Sequence, residues 1–504
     1  MVATWSVTAK RVTSVMISPP LLKSCSSSSY ACSFKTITCA LQQPGSSVEN
    51  NMQTDAPVRL TLSRLLYFGL PDYAVYLAAI PVSLYLSFVY SRDYGLELTD
   101  IGLILMLARI SDVITDPLIG YLSDRTQSRW GKRKPWLFAG AIVMAISAWQ
   151  LFAPSGTVTN WHLLIWAMLL WLGWTMINIP YFAWGAELSD DYNDRTRITG
   201  WRQAFGFAGN VSVLLIPAVS GHLFGYGALP KEGLTIVGFM ALVLLPLTVF
   251  IALWFVPERH IQRASTPDLW HASRQMFANG SFMVLFTGFL LLSMGSTWAS
   301  SLFMLFAAFV VGIETQTQTL LLGFYFVQLL SLPAWMWVSF RIGKKETWTL
   351  GAALYVLATP GYLMLGPGDV WPFVGVLMAY GIASGNFAAI SLSMKADLIE
   401  IASLRTGAHV AGSYMAVWSL GQKAFQALAV GIALPLVSLF GFDPKGENGP
   451  DELLALTLVL TLPPLLLYAA SVGVIWRYPI DGERLVRLRG AFQRRNTRRA
   501  TRHA

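Results

Sequence analysis

The sequence predicts an all-α polytopic membrane protein, with about twelve spans arranged as two halves of six. Three observations carry that prediction. Hydrophobic residues make up 54% of the 504 and charged residues only 12%, against about 25% charged in soluble chains. Apolar stretches of about 20 residues, the length that crosses hydrocarbon as a helix, recur from residue 65 to residue 476. The second half of the chain also repeats loop motifs of the first in the same order.

The spans follow in order. The first, near 65–90, carries Asp72 in Gly69-Leu-Pro-Asp-Tyr73. The second, near 100–122, holds Arg109, Asp112 and Asp116 and runs into the basic loop Ser123–Trp136. Spans near 135–153 and 161–186 follow, the latter with Thr175 and with Asn178 beside Pro180. The fifth, near 200–223, opens with Arg202, and the sixth lies near 233–256. Beyond a central loop come 280–310, 317–338, 348–365 and 371–393. The last two are 408–440, with Lys423 near its middle, and 453–476. The expected domains are an N-terminal extension over 1–60, a six-helix bundle over 61–256, a loop over 257–279, a second bundle over 280–476 and a basic tail over 477–504.

The extension is Ser/Thr-rich, poor in acids and without apolar periodicity, and it holds all three cysteines, Cys25, Cys32 and Cys39. It reads as disordered, either an overlong start or a targeting segment. No disulfide is therefore expected within the spans, and no metal site beyond one for Na⁺.

The net charge of +9 comes from short loops and tail, so topology accounts for it and nucleic-acid binding is not expected. One set of alternate loops carries Arg125, Arg129, Lys132, Arg133, Arg195, Arg197 and Arg341, while the other set has only Arg92, Lys231 and Lys445. The positive-inside rule puts both termini in the cytoplasm, as expected in a plasma or inner membrane.

Pro117, Ser123 and Arg125 recur as Pro333, Ser339 and Arg341, and Gly131-Lys132 and Trp136 recur as Gly343-Lys344 and Trp348. The acids do not recur: Asp112 becomes Gln328 and Asp116 becomes Leu332. A structural role alone would place acids in both halves, so their one-sidedness points to a single ion site. Arg109, Asp112 and Asp116 share one helical face by spacing. A charge at the bilayer centre costs about 3 kcal/mol even on lenient scales, and such residues mark ion or proton paths. One cation against two carboxylates leaves one negative charge, which a bound Na⁺ or a proton can meet, with Thr115 and Thr175 as further oxygen ligands. A structural Arg–Asp pair is the alternative reading.

The segments Ala108-Arg-Ile-Ser-Asp-Val-Ile-Thr-Asp-Pro-Leu-Ile-Gly120 and Ser128-Arg-Trp-Gly-Lys-Arg-Lys-Pro-Trp136 resemble those of the glycoside–pentoside–hexuronide:cation symporters, in the major facilitator superfamily. The likeness extends more loosely over about residues 60–480. It implies the major facilitator fold and cation-coupled sugar transport, with cation ligands at Asp112, Asp116 and Thr175. Thr115 stands where the family often has asparagine. Sugar contacts are implied at Asn178, Phe182, Arg202 and Lys423 and at Tyr76, with Asp72 one turn earlier on the same face. The family acid of the fourth span is Asn178 here and that of the first is Tyr76, so a galactoside is not implied. Eukaryotic members move lysolipids, which keeps an amphiphile transporter as the alternative, alongside a non-transporting sensor.

The expected mechanism is alternating access of two bundles about a central site, in a functional monomer. The basic loops form a cytoplasmic gate, pairing with Asp124, Glu187, Asp190 or Asp194 to hold an outward-open state. An enzyme is not expected: no HExxH occurs, and the histidines lie mostly at span ends or in loops. No cofactor is expected besides the coupling ion.

Overall fold

The computed structural model describes residues 61–479, apart from 190–191, 226–229, 259–273, 275 and 407–410. The expected N-terminal extension, most of the central loop and the tail beyond 479 lie outside the described residues.

The described residues form helices and no strand. Helices α1 (Leu62–Leu84) and α2 (Leu86–Arg92) make the first span, and α3 (Leu98–Ile110) and α4 (Asp112–Arg125) the second. Helices α5 (Lys134–Phe152), α6 (Asn160–Glu187), α7 (Tyr192–Phe224) and α8 (Pro230–Phe255) complete the first six. The second six are α9 (Gly280–Phe306), α10 (Thr317–Ile342), α11 (Lys344–Ala358), α12 (Val370–Thr406), α13 (Ala411–Leu439) and α14 (Pro450–Trp476). Among the described residues, ten stretches are long and apolar enough to cross a membrane. The other two spans miss that criterion for visible reasons. The second is charged and interrupted at Ser111, and the ninth is a 15-residue α-helix prolonged by a 3-10 segment, Thr359–Met364.

The interruption at Ser111 departs from the single helix expected over 100–122. The Ser111 hydroxyl donates to the Ala108 carbonyl at 2.7 Å. A side chain that bonds a nearby carbonyl competes with the backbone ladder, and here it coincides with the start of a new helix at Asp112.

Without water between them, membrane helices pack by close backbone approach, which small residues permit. Between α5 and α6, a Cβ on Gly173 would come within 2.8 Å of the Met144 backbone nitrogen. The same device joins the two halves. A Cβ on Gly102 of α3 would reach Pro435 of α13 at 2.8 Å, and one on Gly431 would reach the Met106 sulfur at 2.3 Å. Arg92 pairs with Glu314, and the Lys445 ammonium donates to the Gly95 carbonyl. These contacts between halves lie on the side of the 93–97 and 440–449 loops, opposite the basic loops.

The internal repeat is visible in local geometry. Gly131 and Gly343 both take positive φ, 112° and 97°, where only glycine turns without strain. Ser123 donates to the Gly120 carbonyl at 3.1 Å and Ser339 to the Met336 carbonyl at 2.9 Å. The Arg125 guanidinium lies 4.2 Å over Tyr121, and its counterpart Arg341 lies 4.9 Å over Trp337.

Candidate functional site

The charged second span sits against α6 and α13. Arg109 donates to Asp112 Oδ2 at 3.1 Å, across the short helix break. Its guanidinium also lies 3.6 Å over the Trp171 ring, an apolar partner that tolerates a cation. Asp116 is out of this pair. Thr175 donates to Asp116 Oδ1 at 2.8 Å, and Lys423 donates to both Asp116 oxygens at 2.9 and 2.7 Å. The same ammonium lies 3.2 Å from Asp112 Oδ2.

Lys423 thus corrects the charge count made from the span alone. Two cations face two carboxylates, and the second cation comes from the other half of the chain. Two oxygens of the cluster still lack partners: Asp112 Oδ1 and Thr115 Oγ1 are buried without a hydrogen bond. Buried oxygens of this kind are what a hard cation or an acid proton satisfies.

A second buried pair lies nearer the basic loops. Arg202 donates to Asp72 through Nε at 2.7 Å and Nη2 at 3.1 Å, the two-pronged geometry of a strong pair. Its guanidinium also lies over the Tyr181 ring at 3.9 Å and the Phe182 ring at 4.1 Å. Of the expected substrate residues, Asp72, Arg202 and Phe182 therefore hold one another. Asn178 donates to the Trp174 carbonyl at 3.2 Å. Tyr76 alone of that set lines the cavity of about 310 Å³ beside the acid cluster, its ring 5.5 Å from Trp174. Residues not singled out from sequence complete that wall: Trp171, Trp174, Gln422 and Gln426 among them. The two glutamines flank Lys423 at helical spacing, which is a signal the sequence did contain.

The basic loop after the second span is tied to its own half. Arg133 pairs with Asp124 at 2.5 Å and with Glu187 at 3.1 Å. Glu258 Oε1 accepts the Lys132 and Arg133 backbone N–H groups, both at 2.9 Å. Arg197 pairs with Asp194 at 3.2 Å within α7, and Arg129 is exposed. The Arg195 side chain and Asp190 lie outside the described parts. In the second half Lys344 pairs with Asp397. Arg133 finds the acids expected for the gate, yet these bonds brace one bundle and do not close one bundle on the other.

A family description, MFS/sugar transport protein, matches residues 67–482. The chain belongs to that family. It is 25% identical to the glucuronide carrier protein homolog of Escherichia coli over 84% of this chain and 94% of that one. It is 23% identical to the human sodium-dependent lysophosphatidylcholine symporter 1, over 78% of each. A solved bacterial homolog of the human lysosomal transporter Spinster, inward-facing and unoccupied, superposes with a TM-score of 0.62 at 14% identity, covering 82% of this chain and 95% of that one. The fold of this family member is the two-bundle major facilitator fold, and it is a multi-pass integral membrane protein.

Proposed function

We propose that the protein is a secondary active transporter that couples a cation, Na⁺ or H⁺, to symport of a sugar or glycoside by alternating access. One observation carries this reading. The Lys423 ammonium of the second bundle lies between Asp112 and Asp116 of the first, where a cation belongs. An incoming Na⁺ or proton competes with that ammonium. Once displaced, Lys423 no longer clamps α13 to α4, so ion binding and bundle movement become one event. The cavity against Arg109 and Trp174 is where the substrate sits during that change.

The basic loops face the cytoplasm on this reading, with both termini there and the protein in the plasma or inner membrane. Because the contacts between halves cluster on the opposite side, the arrangement described is the inward-facing one. The gate formed by Arg125, Arg129, Lys132, Arg133, Arg195, Arg197 and Arg341 closes only in the other state. The functional unit is a monomer, since one chain carries both bundles and the site between them.

A second reading, transport of a lysolipid or other amphiphile, is supported by the likeness to the lysophosphatidylcholine symporter. The serine, glutamine and aromatic side chains in the cavity wall, beside apolar ones such as Ile80 and Val430, favour the sugar. Proteoliposome uptake of a sugar and lysolipid panel, under Na⁺ and H⁺ gradients imposed separately, tests both. Sugar accumulation driven by one gradient, and lost in Asp116→Asn, is expected. Accumulation that survives Asp112→Asn and Asp116→Asn rejects the ion site.

A further inference from the structure

A second cavity, of about 300 Å³, opens on the C-terminal half. Its wall carries Tyr325, Tyr355, Tyr362 and Tyr380 with Gln328 and Ser384, and no charged side chain among the described residues. The tyrosines brace one another edge to face, Tyr355 and Tyr362 lying 5.1 and 5.6 Å from Tyr380. Their polar groups are held in place: Tyr380 shares a 2.6 Å hydrogen bond with Thr359, and the Gln328 amide donates to the Ser384 hydroxyl at 2.8 Å. Thr297 and Ser300 of α9 line both this cavity and the one beside Arg109, so the two are lobes with a common wall.

Gln328 is the repeat counterpart of Asp112. Where the first half sets a carboxylate at an ion, the second half sets a neutral amide in a lobe of hydroxyls and apolar side chains, Leu84, Phe303, Phe324 and Leu377 among them. An ionised group entering such a lobe loses its water and finds no counter-charge, a cost of several kcal/mol. A ring bearing hydroxyls finds the reverse. Phenol, serine and amide groups can each donate and accept, and the tyrosine rings offer apolar faces. Together the lobes fall within the range of about 300–1,000 Å³ that holds a small ligand.

We infer that the tyrosine lobe is a second substrate subsite, which takes an uncharged hydroxyl-bearing ring while the first ring lies beside Arg109 and Trp174. The transported molecule is then a neutral two-ring glycoside, and neither a uronide's carboxylate nor a lysolipid's zwitterionic headgroup occupies this lobe. The inference rests on the sugar reading above.

The test is equilibrium binding to the purified full chain in detergent. Cellobiose, lactose, melibiose and xylobiose are each compared with the methyl glycosides of their constituent sugars, and with lysophosphatidylcholine. At least one disaccharide is expected to bind about tenfold tighter than its methyl glycosides, the equivalent of one to two hydrogen bonds. Gln328→Leu removes that advantage and leaves methyl-glycoside binding unchanged, which also reports a folded site. Tyr380→Phe and Ser384→Ala are gentler variants with the same expectation. Variants that weaken both ligand classes equally, or neither, overturn the lobe assignment. So does lysophosphatidylcholine binding that depends on Gln328 and Tyr380. Lobe-dependent disaccharide binding without cation-driven uptake supports the lobe and sinks the symport reading instead.

Discussion

Lys423 shows how little room a buried charge has. Its ammonium faces Asp112 and Asp116, so truncating it leaves two carboxylates with, among the described residues, Arg109 as their paired cation. Breaking such a pair from one side costs about 3–5 kcal/mol. Lys423→Gln should therefore lower the melting temperature in detergent sharply, and adding Asp116→Asn should restore part of the loss. If the double variant melts as low as the sum of both singles, the charges are not coupled. The Asp72–Arg202 pair obeys the same arithmetic. Arg202→Met is expected to cost about 3 kcal/mol or more, and Asp72→Asn with Arg202→Met less than that single change. Thermal melts of the three proteins decide it. These two clusters also mark what was readable at this scale. Arg109 and Asp112 are three positions apart, so helical spacing suggests their pairing, and the bond forms despite the break at Ser111. Lys423 and Asp116 are 307 positions apart, and no local period links them. The lysine was visible as an anomaly in its span, but its partner was not, because packing between halves decides it. The pairing of Asp72 with Arg202 was hidden for the same reason.

Helix interfaces rest on backbone proximity more than on side-chain bulk. Gly173 approaches Met144 so closely that a branched side chain has nowhere to go. Gly173→Val should destabilise by about 1–3 kcal/mol through overpacking, read as a lower melting temperature, whereas Gly200→Val, with open space around its Cβ, should be milder. Equal losses at the two positions would reject the close-packing account. The spans themselves were legible because hydrophobic length is a property of each segment alone. The repeat was legible because Gly131 and Gly343 answer to one backbone demand, a positive φ. The split at Ser111 was not legible, since a serine inside an apolar helix either bonds back to its own turn or does not, and neighbouring helices settle which. The ninth span was visible as apolar, but its change to a 3-10 segment over Thr359–Met364 was not.

At the scale of the whole molecule, the halves meet on one side of the membrane and along the Lys423 cluster. Met106 and Gly431 face each other at that seam. A Cβ on Gly431 would lie 2.7 Å from the Met106 Cβ, closer than the about 3.5–4.5 Å that a disulfide spans. A cysteine pair here, with Cys25, Cys32 and Cys39 replaced by serine, should form a disulfide once the two backbones part by about 1 Å. Alternating access then predicts that oxidation stops uptake and reduction restores it. Full uptake by the oxidised, cross-linked protein would mean that the seam never opens.

The lysine between two acids also has an electrical consequence. Arg109 and Lys423 against Asp112 and Asp116 sum to zero, so the ion-free site carries no net charge across the membrane. With one Na⁺ or proton added, the site and the displaced Lys423 ammonium together carry one positive charge. A potential of 100 mV acts on one such charge with about 2.3 kcal/mol over the full membrane. The loaded step should thus respond to voltage and the empty return should not, so the resting potential of the cell drives one direction of the cycle and leaves the other to diffusion.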